Sequence, residues 1–128
     1  MTQLCIMKKK NDNTRLYKIT LGNPTMDCRR YGICRIDDFD ERTATHAPNT
    51  VLAKIKKTDT TLVFTFLRHT MTECTFKTHF SSGFFQIEQS FIWQGKTVLE
   101  GIYPIQQMGN EAVLTITPLS ILAFEGAI

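Results

Sequence analysis

The chain has 128 residues, of which 42% are hydrophobic, and it contains nine Phe but only seven Gly and four Pro. This length is typical of one domain with an ordinary core, and the composition excludes a disordered or collagen-like chain. The net charge at pH 7 is only +3, and no apolar run approaches the roughly 20 residues that a membrane-spanning helix needs. We expect a single domain over residues 1–128. We also expect it to be cytoplasmic, because three lysines follow the short apolar run at the start, the reverse of a secretory signal.

The first predicted element is a hairpin over residues 2–21. Its two arms alternate apolar and polar residues with the period of a β-strand, and the polar run 8–13 separates them. Gly-Asn-Pro at 22–24 ends the second arm, because Asn-Pro favours a turn. Residues 31–37 then predict a short strand, and the composition of residues 41–50 predicts a loop.

A second hairpin is predicted from two arms, residues 50–57 and 61–67. The arms alternate apolar and polar residues, and a short polar turn joins them. In the second arm this alternation places Leu62, Phe64 and Phe66 on one side of the strand.

Residues 68–80 fit either a helix or a strand. A helix would start at Thr70 or Thr72. Thr70 and Glu73 would form a capping box, and the Ser-Ser-Gly run 81–83 would end the helix. Four threonines in nine residues oppose this assignment, because β-branched side chains lose rotamer freedom in a helix. We predict a short helix over about 70–80.

Strand patterns return at residue 84. Residues 84–93 predict a strand that bends near Ser90, and a turn at 94–96 leads to a strand over 97–105. Pro104 places this last strand at an edge or an end of the sheet, because proline has no N–H for the ladder.

One more hairpin closes the predicted fold. Residues 106–112 connect to a strand over 113–119, and Gly109-Asn110 is a turn signal between them. The tail after residue 119 is apolar enough to dock on the body of the domain.

Together these patterns predict seven to nine short strands with at most one short helix. Strands and helices do not alternate along the chain, which disfavours a parallel sheet. We therefore expect a mainly antiparallel α+β domain, either a sandwich or a partly open barrel, with an all-β domain as the alternative.

Basic residues are concentrated in the first half of the chain. Residues 1–57 carry twelve Lys or Arg against six Asp or Glu, whereas residues 58–128 carry three against six. This asymmetry fits a region that meets an anionic partner, and it also fits a solvated face kept in solution by lysine. The candidate partner-binding residues are Arg29, Arg30, Tyr31, Arg35, Lys54 and Lys56.

The cysteines leave several alternatives open. Cys28 and Cys34 could be thiols, could form a disulfide around a turn at Tyr31-Gly32, or could bind a metal together with His46. Five residues separate the two cysteines, more than the roughly two to four usual in structural zinc sites. We therefore predict no metal site and no cofactor, and keep Cys28, Cys34 and His46 as the metal alternative.

Sequence signatures of catalysis are missing. The chain has no Gly-x-Ser-x-Gly elbow and no glycine-rich phosphate loop, which argues against an enzyme. It also has no EF-hand loop for calcium. Trp93, with Phe84, Phe85 and Phe91 nearby, could line an apolar ligand pocket, but packing in the core explains these aromatic residues more simply.

Three stretches carry a resemblance to other proteins: "GNPTMDCRRYGICRI", "FKTHFSSGFFQIEQ" and "GIYPIQQMGNEAVLTI". They resemble short uncharacterised proteins of Bacteroidetes bacteria, in which Gly-Asn-Pro and a Cys pair near a Gly precede a β-rich body. A Gly-x-Tyr-Pro hairpin closes those chains. The resemblance implies a bacterial protein with a β-rich fold, and it implies no activity.

The leading functional hypothesis is a small non-enzymatic binding domain for a protein partner or for a second copy of itself. Strand edges that no helix covers favour pairing with another chain. One alternative is a thiol- or metal-dependent redox or enzymatic role through Cys28 and Cys34. The other is nucleic-acid binding through the basic half, with Tyr17 and Tyr31 available to stack on bases. No membrane association is expected.

Overall fold

The computed structural model of the protein describes residues 15–23 and 31–117. These residues form nine strands, one short α-helix and one 3-10 turn. The strands are β1 (Leu16–Gly22), β2 (Gly32–Asp38), β3 (Thr50–Lys57), β4 (Leu62–Leu67), β5 (Phe84–Ile87), β6 (Phe91–Trp93), β7 (Lys96–Val98), β8 (Gly101–Met108) and β9 (Glu111–Ile116). The 3-10 turn (Arg68–Thr70) and helix α1 (Glu73–His79) lie between β4 and β5.

Seven of the strands form one antiparallel sheet that curls into a partly open barrel. Their order is β2-β1-β3-β4-β9-β8-β5, and β6 and β7 form a separate antiparallel hairpin. The two edge strands approach each other at one end, where the Glu88 N–H donates to the carbonyl oxygen of Tyr31 (2.8 Å). The predicted mainly antiparallel domain with one short helix is confirmed, and its form is the partly open barrel rather than the sandwich.

Large apolar side chains fill the inside of the barrel. The ring of Phe66 lies 4.9 Å from that of Phe80 and 5.6 Å from that of Phe85, centroid to centroid. Phe80 directly follows α1, so its burial anchors the helix against the sheet. Leu62, Phe64 and Phe66, which alternation places on one side of β4, are all fully buried. That side therefore faces the core.

The hairpin of β3 and β4 is confirmed. Lys57 lies opposite Leu62 at its closed end. The Thr58 N–H donates to the carbonyl oxygen of Thr61 (2.9 Å), and the two hydroxyl groups are 2.7 Å apart. Threonine side chains thus reinforce the polar turn that the sequence predicts.

The predicted hairpin over residues 2–21 is wrong in its pairing. Strand β1 has β2 along one edge and β3 along the other, so it has no edge left for a second arm from residues 2–7. Alternation identifies a strand, but it does not identify the strand's neighbours. Residues 2–7 themselves lie outside the described residues, as does the tail predicted to dock on the domain.

The helix begins later than the capping-box prediction places it. Thr72 is the N-cap, and its hydroxyl accepts from the Thr75 N–H (3.0 Å). The predicted partners have other roles: the Thr70 hydroxyl donates to the carbonyl oxygen of Leu67 (2.7 Å). Thr70 also accepts the Leu52 N–H (2.9 Å) and so ties the 3-10 turn to β3. Any of these threonines can cap a helix, and tertiary contacts decide which one does.

The predicted strand over residues 84–93 divides into β5 and β6 at residues 88–90, as the expected bend near Ser90 indicates. Gln94 and Gly95 have φ values of 49° and 80° and form the tight turn before β7. The resulting hairpin packs on the barrel, where the ring of Trp93 contacts the Tyr17 ring edge-on at 5.6 Å.

Strand β8 is an inner strand, so the expectation of an edge strand is wrong. Pro104 is nevertheless tolerated because the ladder between β8 and β9 begins only at the next residue, Ile105, opposite Leu114. The connection predicted over 106–112 is also too long: pairing continues to Met108 opposite Glu111, and the turn contains only Gly109-Asn110.

Candidate partner-binding groove

A surface groove of about 400 Å³ lies beside edge strand β5, where the barrel is incompletely closed. We call it the seam groove. Its lining comes from the residue before β2, the end of α1, the turn after it, and strands β5 and β8: Tyr31, Thr78, His79, Ser82, Phe84, Phe85, Gln86 and Ile102.

Two hydrogen bonds fix Tyr31 at the groove. Its N–H donates to the carboxylate of Glu88 (2.6 Å), and its carbonyl oxygen accepts the Glu88 N–H (2.8 Å). The next residue, Gly32, allows this close approach, because a Cβ there would lie 3.2 Å from the Cα of Ile87. Gly32 also has a φ of 129°, a value that residues with a side chain rarely adopt. A glycine is therefore required where the two edge strands meet.

His79 forms the polar base of the groove and is only 6% exposed. Its Nε2 lies 2.8 Å from Oδ1 of Asn49, which also accepts from Nδ2 of Asn23 (3.3 Å). Because Oδ1 is the acceptor in both contacts, Nε2 carries the hydrogen and Nδ1 keeps its lone pair. Burial lowers the pKa of His79 to about 4, so the ring is neutral at pH 7.

The turn that carries Asn49 is itself well defined. Asn49 has a φ of 58°, a conformation that asparagine adopts more readily than most residues. Its N–H donates to the Thr75 hydroxyl of α1 (3.0 Å), and its carbonyl oxygen accepts the Leu21 N–H (2.8 Å). Asn49 thus connects β1 and α1 and holds His79 in place.

The opposite wall of the groove is apolar and exposed. Phe84 is 56% exposed and Ile102 is 68% exposed. They lie on paired strands, with Pro104 opposite Phe84 and Gln86 opposite Ile102. The four side chains share the outer face of the sheet, because alternate residues of a strand point the same way. This face can bury an apolar group against Phe84 and Ile102.

The lining of the seam groove contains few groups that can titrate. Tyr31 and His79 are its titratable lining residues, and Nε2 of His79 is already bonded. The Ser82 hydroxyl donates to the backbone oxygen of Phe84 (3.1 Å). Among the described lining residues there is no nucleophile beside a base. The groove offers an apolar wall and several hydrogen-bonding groups.

Of the six candidate partner-binding residues, the structure places Tyr31 in the seam groove. Arg29 and Arg30 lie outside the described residues. Arg35 is on the outer face of β2, where its Nε bonds the carboxylate of Asp37 (2.8 Å). Arg35 is thus paired with a carboxylate of its own strand.

Lys54 and Lys56 lie on the outer face of β3, on another side of the barrel. Arg35 and Lys54 are two strands apart, and the register separates them by four residues along the strands. That is roughly 10 Å across the sheet and 13 Å along it. The structure therefore does not bring Tyr31, Arg35 and the lysines to one site.

Sequence reasoning overlooked Lys18, which extends the lysine pair. Lys18 is on β1, and its cross-strand partner on β3 is Leu52. It is therefore diagonal to Lys54, on the same outer face of the sheet. No ion pair within the described ranges involves Lys18, Lys54 or Lys56. We call these three residues the lysine face.

Cys34 is disulfide-bonded. Cys28, the disulfide partner considered from sequence, lies outside the described residues, while Cys74 is an exposed free thiol. A disulfide sulfur is not the thiolate that zinc binds, and the Nδ1 of exposed His46 contacts the Thr45 hydroxyl (3.0 Å). Across the described ranges no three His, Cys, Asp or Glu side chains group as metal ligands.

The aromatic residues near Trp93 divide into two groups. Phe85 is fully buried, and Phe91 and Trp93 pack against the core, as the packing explanation expects. Phe84 is the exception and faces outward. Two consecutive phenylalanines in one strand must point to opposite sides, and this is the signal that could have identified Phe84 as exposed. His79 and Ile102 carry no comparable sequence signal.

Comparison with known proteins adds no relative. Neither a protein-family model, a curated protein nor a solved structure matches the chain. The resemblance to Bacteroidetes proteins stays a prediction. Within the described residues, no helix has the length and apolar character needed to cross a membrane.

Proposed function

We propose that this protein is a small non-enzymatic binding domain that holds an apolar segment of a protein partner in the seam groove. The observation that carries the proposal is the exposure of Phe84 and Ile102, diagonal to each other on the outer face of an edge strand and its neighbour. Adjacent exposed apolar side chains on a protein surface commonly mark an interaction site.

The chemistry of the edge strand supports the same proposal. Sheets usually protect exposed edges with charged side chains or proline, because unpaired backbone groups recruit other chains. Strand β5 reads Phe-Phe-Gln-Ile and contains neither. The inside of the barrel offers no competing site, because Phe66, Phe80 and Phe85 fill it. We therefore place the partner outside the barrel, against β5 and β8.

The experiment selects a displayed library of random linear peptides on the full chain and on two variants. Ile102→Asp places a charge in the apolar wall, and Lys56→Asp places the same charge on the lysine face as the matched control. Peptides bound by the wild type should keep their affinity for Lys56→Asp and lose about tenfold or more for Ile102→Asp. Equal binding to all three proteins would overturn the proposal.

Sedimentation of the same proteins tests whether the partner is a second copy. A dimer that forms with rising concentration and is lost in Ile102→Asp identifies the second copy as the partner. A dimer that persists in Ile102→Asp forms through another surface, and the second copy is then not the partner in the groove. Circular dichroism of each variant verifies that the barrel is folded.

Nucleic-acid binding is the second candidate, and the lysine face is the observation that favours it. Three neighbouring lysines without ion pairs in the described part of the chain can contact phosphates. Fluorescence anisotropy with a single-stranded oligonucleotide should then show affinity that falls with salt and with Lys54→Gln/Lys56→Gln. Absence of salt-sensitive binding at low ionic strength removes this candidate.

The disulfide at Cys34 bears on the compartment. The sequence predicts a cytoplasmic protein, but disulfides persist mainly in oxidising compartments, so we favour one of those. A thiol assay of the denatured protein, purified with its thiols blocked, should find two of the four cysteines free. Four free thiols would restore the cytoplasmic assignment.

A further inference from the structure

Along β5 and β8, towards Ile87 and Gly101, the seam groove adjoins a second section of about 420 Å³. The two sections share Gln86 and Ile102, so one groove runs over the outer face of β5 and β8. The second section is also lined by the ends of these strands and by the residues that flank them: Ile87, Glu88, Glu100 and Gly101.

The second section is acidic, whereas the first carries no charged lining residue. Glu88 and Glu100 line it, and no Lys or Arg occurs among the described lining residues of either section. The Tyr31 N–H bonds one oxygen of Glu88 (2.6 Å) and thereby holds that carboxylate at the groove. Glu100 is exposed, and no described side chain pairs with it. Apolar and acidic surface therefore follow each other along one groove.

We infer that the partner segment is extended and carries an apolar side chain with a lysine or arginine close to it on the same side. This inference rests on the proposed function, because it specifies the occupant of the seam groove. The apolar side chain packs on Phe84 and Ile102, and the cation lies over Glu88 and Glu100. An extended chain presents residues i and i+2 to one side, roughly 7 Å apart, which suits two adjoining sections.

A cation on the partner segment would give Glu88 and Glu100 a role beside the apolar wall, namely selection by charge. Opposite charge at the rim of an interface selects among apolar segments and speeds their encounter, while the apolar contact supplies most of the affinity. A segment with an acidic residue at the same place meets like charge and is rejected. The lysine face cannot make this selection, since it has the opposite charge and lies on other strands.

The test uses three displayed peptide libraries that share one fixed leucine and differ two positions away, where they carry Lys, Ser or Glu. On the full-length wild-type protein, the Lys library should be enriched about threefold over the Glu library, and added salt should reduce this ratio. Glu100→Lys should abolish the preference, because Glu88 and the new lysine then offset each other, and Lys56→Glu should leave it unchanged.

The outcomes separate the two proposals. If all three libraries bind equally, and lose binding equally to Ile102→Asp, the groove binds apolar segments without charge selection and this inference fails alone. If no library binds the wild type more than Ile102→Asp, the proposed function fails with it. A preference for Lys that is undiminished in Glu100→Lys also overturns the inference, because the selecting charge then lies elsewhere.

Discussion

The lysine face and the apolar wall of the seam groove occupy equivalent positions on different parts of one barrel. Both consist of outward-facing residues on neighbouring strands, Lys18, Lys54 and Lys56 on β1 and β3, Phe84 and Ile102 on β5 and β8. The lysines lie mid-sheet, where both strand edges are already paired, yet charge is absent from β5, whose edge is incompletely covered. Apolar side chains thus stay exposed on β5 and β8, whereas lysines occupy the outer face of β1 and β3, which is reason to assign the apolar wall to a partner.

The largest predicted effect separates the two phenylalanines of β5. Phe85→Ala should lower the free energy of unfolding by about 3–5 kcal/mol, because the ring is fully buried among other rings. Phe84→Ala should lower it by less than about 1 kcal/mol, because more than half of the side chain is exposed. Urea unfolding measures both. A large cost for Phe84→Ala would mean that the apolar wall serves the fold rather than a partner.

The groove side of the barrel should also be sensitive to pH. The pKa of His79 is about 4 in the folded protein and 6.5 ordinarily, because burial disfavours the charged ring. The unfolded chain therefore takes up the proton first, and stability present above pH 6.5 is lost as pH falls towards 4. Between pH 7.5 and 4.5 we expect a loss of about 2–3 kcal/mol from this group.

The matched variant for this measurement is His79→Gln, which can still donate to Asn49 but does not titrate. Urea unfolding at the two pH values should show a smaller loss for His79→Gln than for the wild type. If the two proteins lose the same free energy, His79 is not the group responsible.

An effect of similar size is expected where the edge strands meet. Gly32→Ala should cost about 2–3 kcal/mol, since the Cβ would crowd the Ile87 backbone and the φ of 129° disfavours a side chain. Gly109→Ala is the control: its φ of 63° is also unfavourable, but no atom lies within 4 Å of the added Cβ, so about 1 kcal/mol is expected. Equal costs in thermal unfolding would show that the close approach of β2 to β5 is not required.

The smallest effect is predicted for the lysine face. Replacing Lys18, Lys54 and Lys56 together by Gln should change the free energy of unfolding by less than about 0.5 kcal/mol, because no ion pair among the described residues is lost. Peptide binding in the seam groove should be unchanged. A loss of peptide binding would contradict the separation of the two surfaces.

Local patterns in the sequence predicted the strands better than they predicted the neighbours of those strands. Alternation identified β3, β4 and the burial of Phe64 and Phe66, and turn residues marked Gly109-Asn110 and the bend near Ser90. The pairing of β1 with β2 and β3 was missed because strands far apart in the chain compete for the same edge. Thr70 was preferred to Thr72 as the helix start because only Thr70 precedes a Glu by three residues. In the structure Thr70 is instead engaged by Leu52 and Leu67.

The candidate site was predicted only in part. Tyr31 was selected as an aromatic residue in the basic half of the chain, and it does line the seam groove. Arg35, Lys54 and Lys56 were grouped with it by charge, but they lie on other faces of the barrel. Charge along a chain does not report which residues share a surface, because alternate strand residues point to opposite sides and adjacent strands come from distant segments.

By itself, the sequence determined a small antiparallel β domain with a core rich in phenylalanine, because period-two patterns and turn residues act over a few neighbouring positions. Only the tertiary structure decided that the sheet curls until Tyr31 meets Glu88, that His79 is buried against Asn49, and that Phe84 and Ile102 remain exposed together. Each of these contacts joins residues far apart in the chain. These features depend on long-range packing and on the burial of polar groups, which no pattern of neighbouring residues in the sequence specifies.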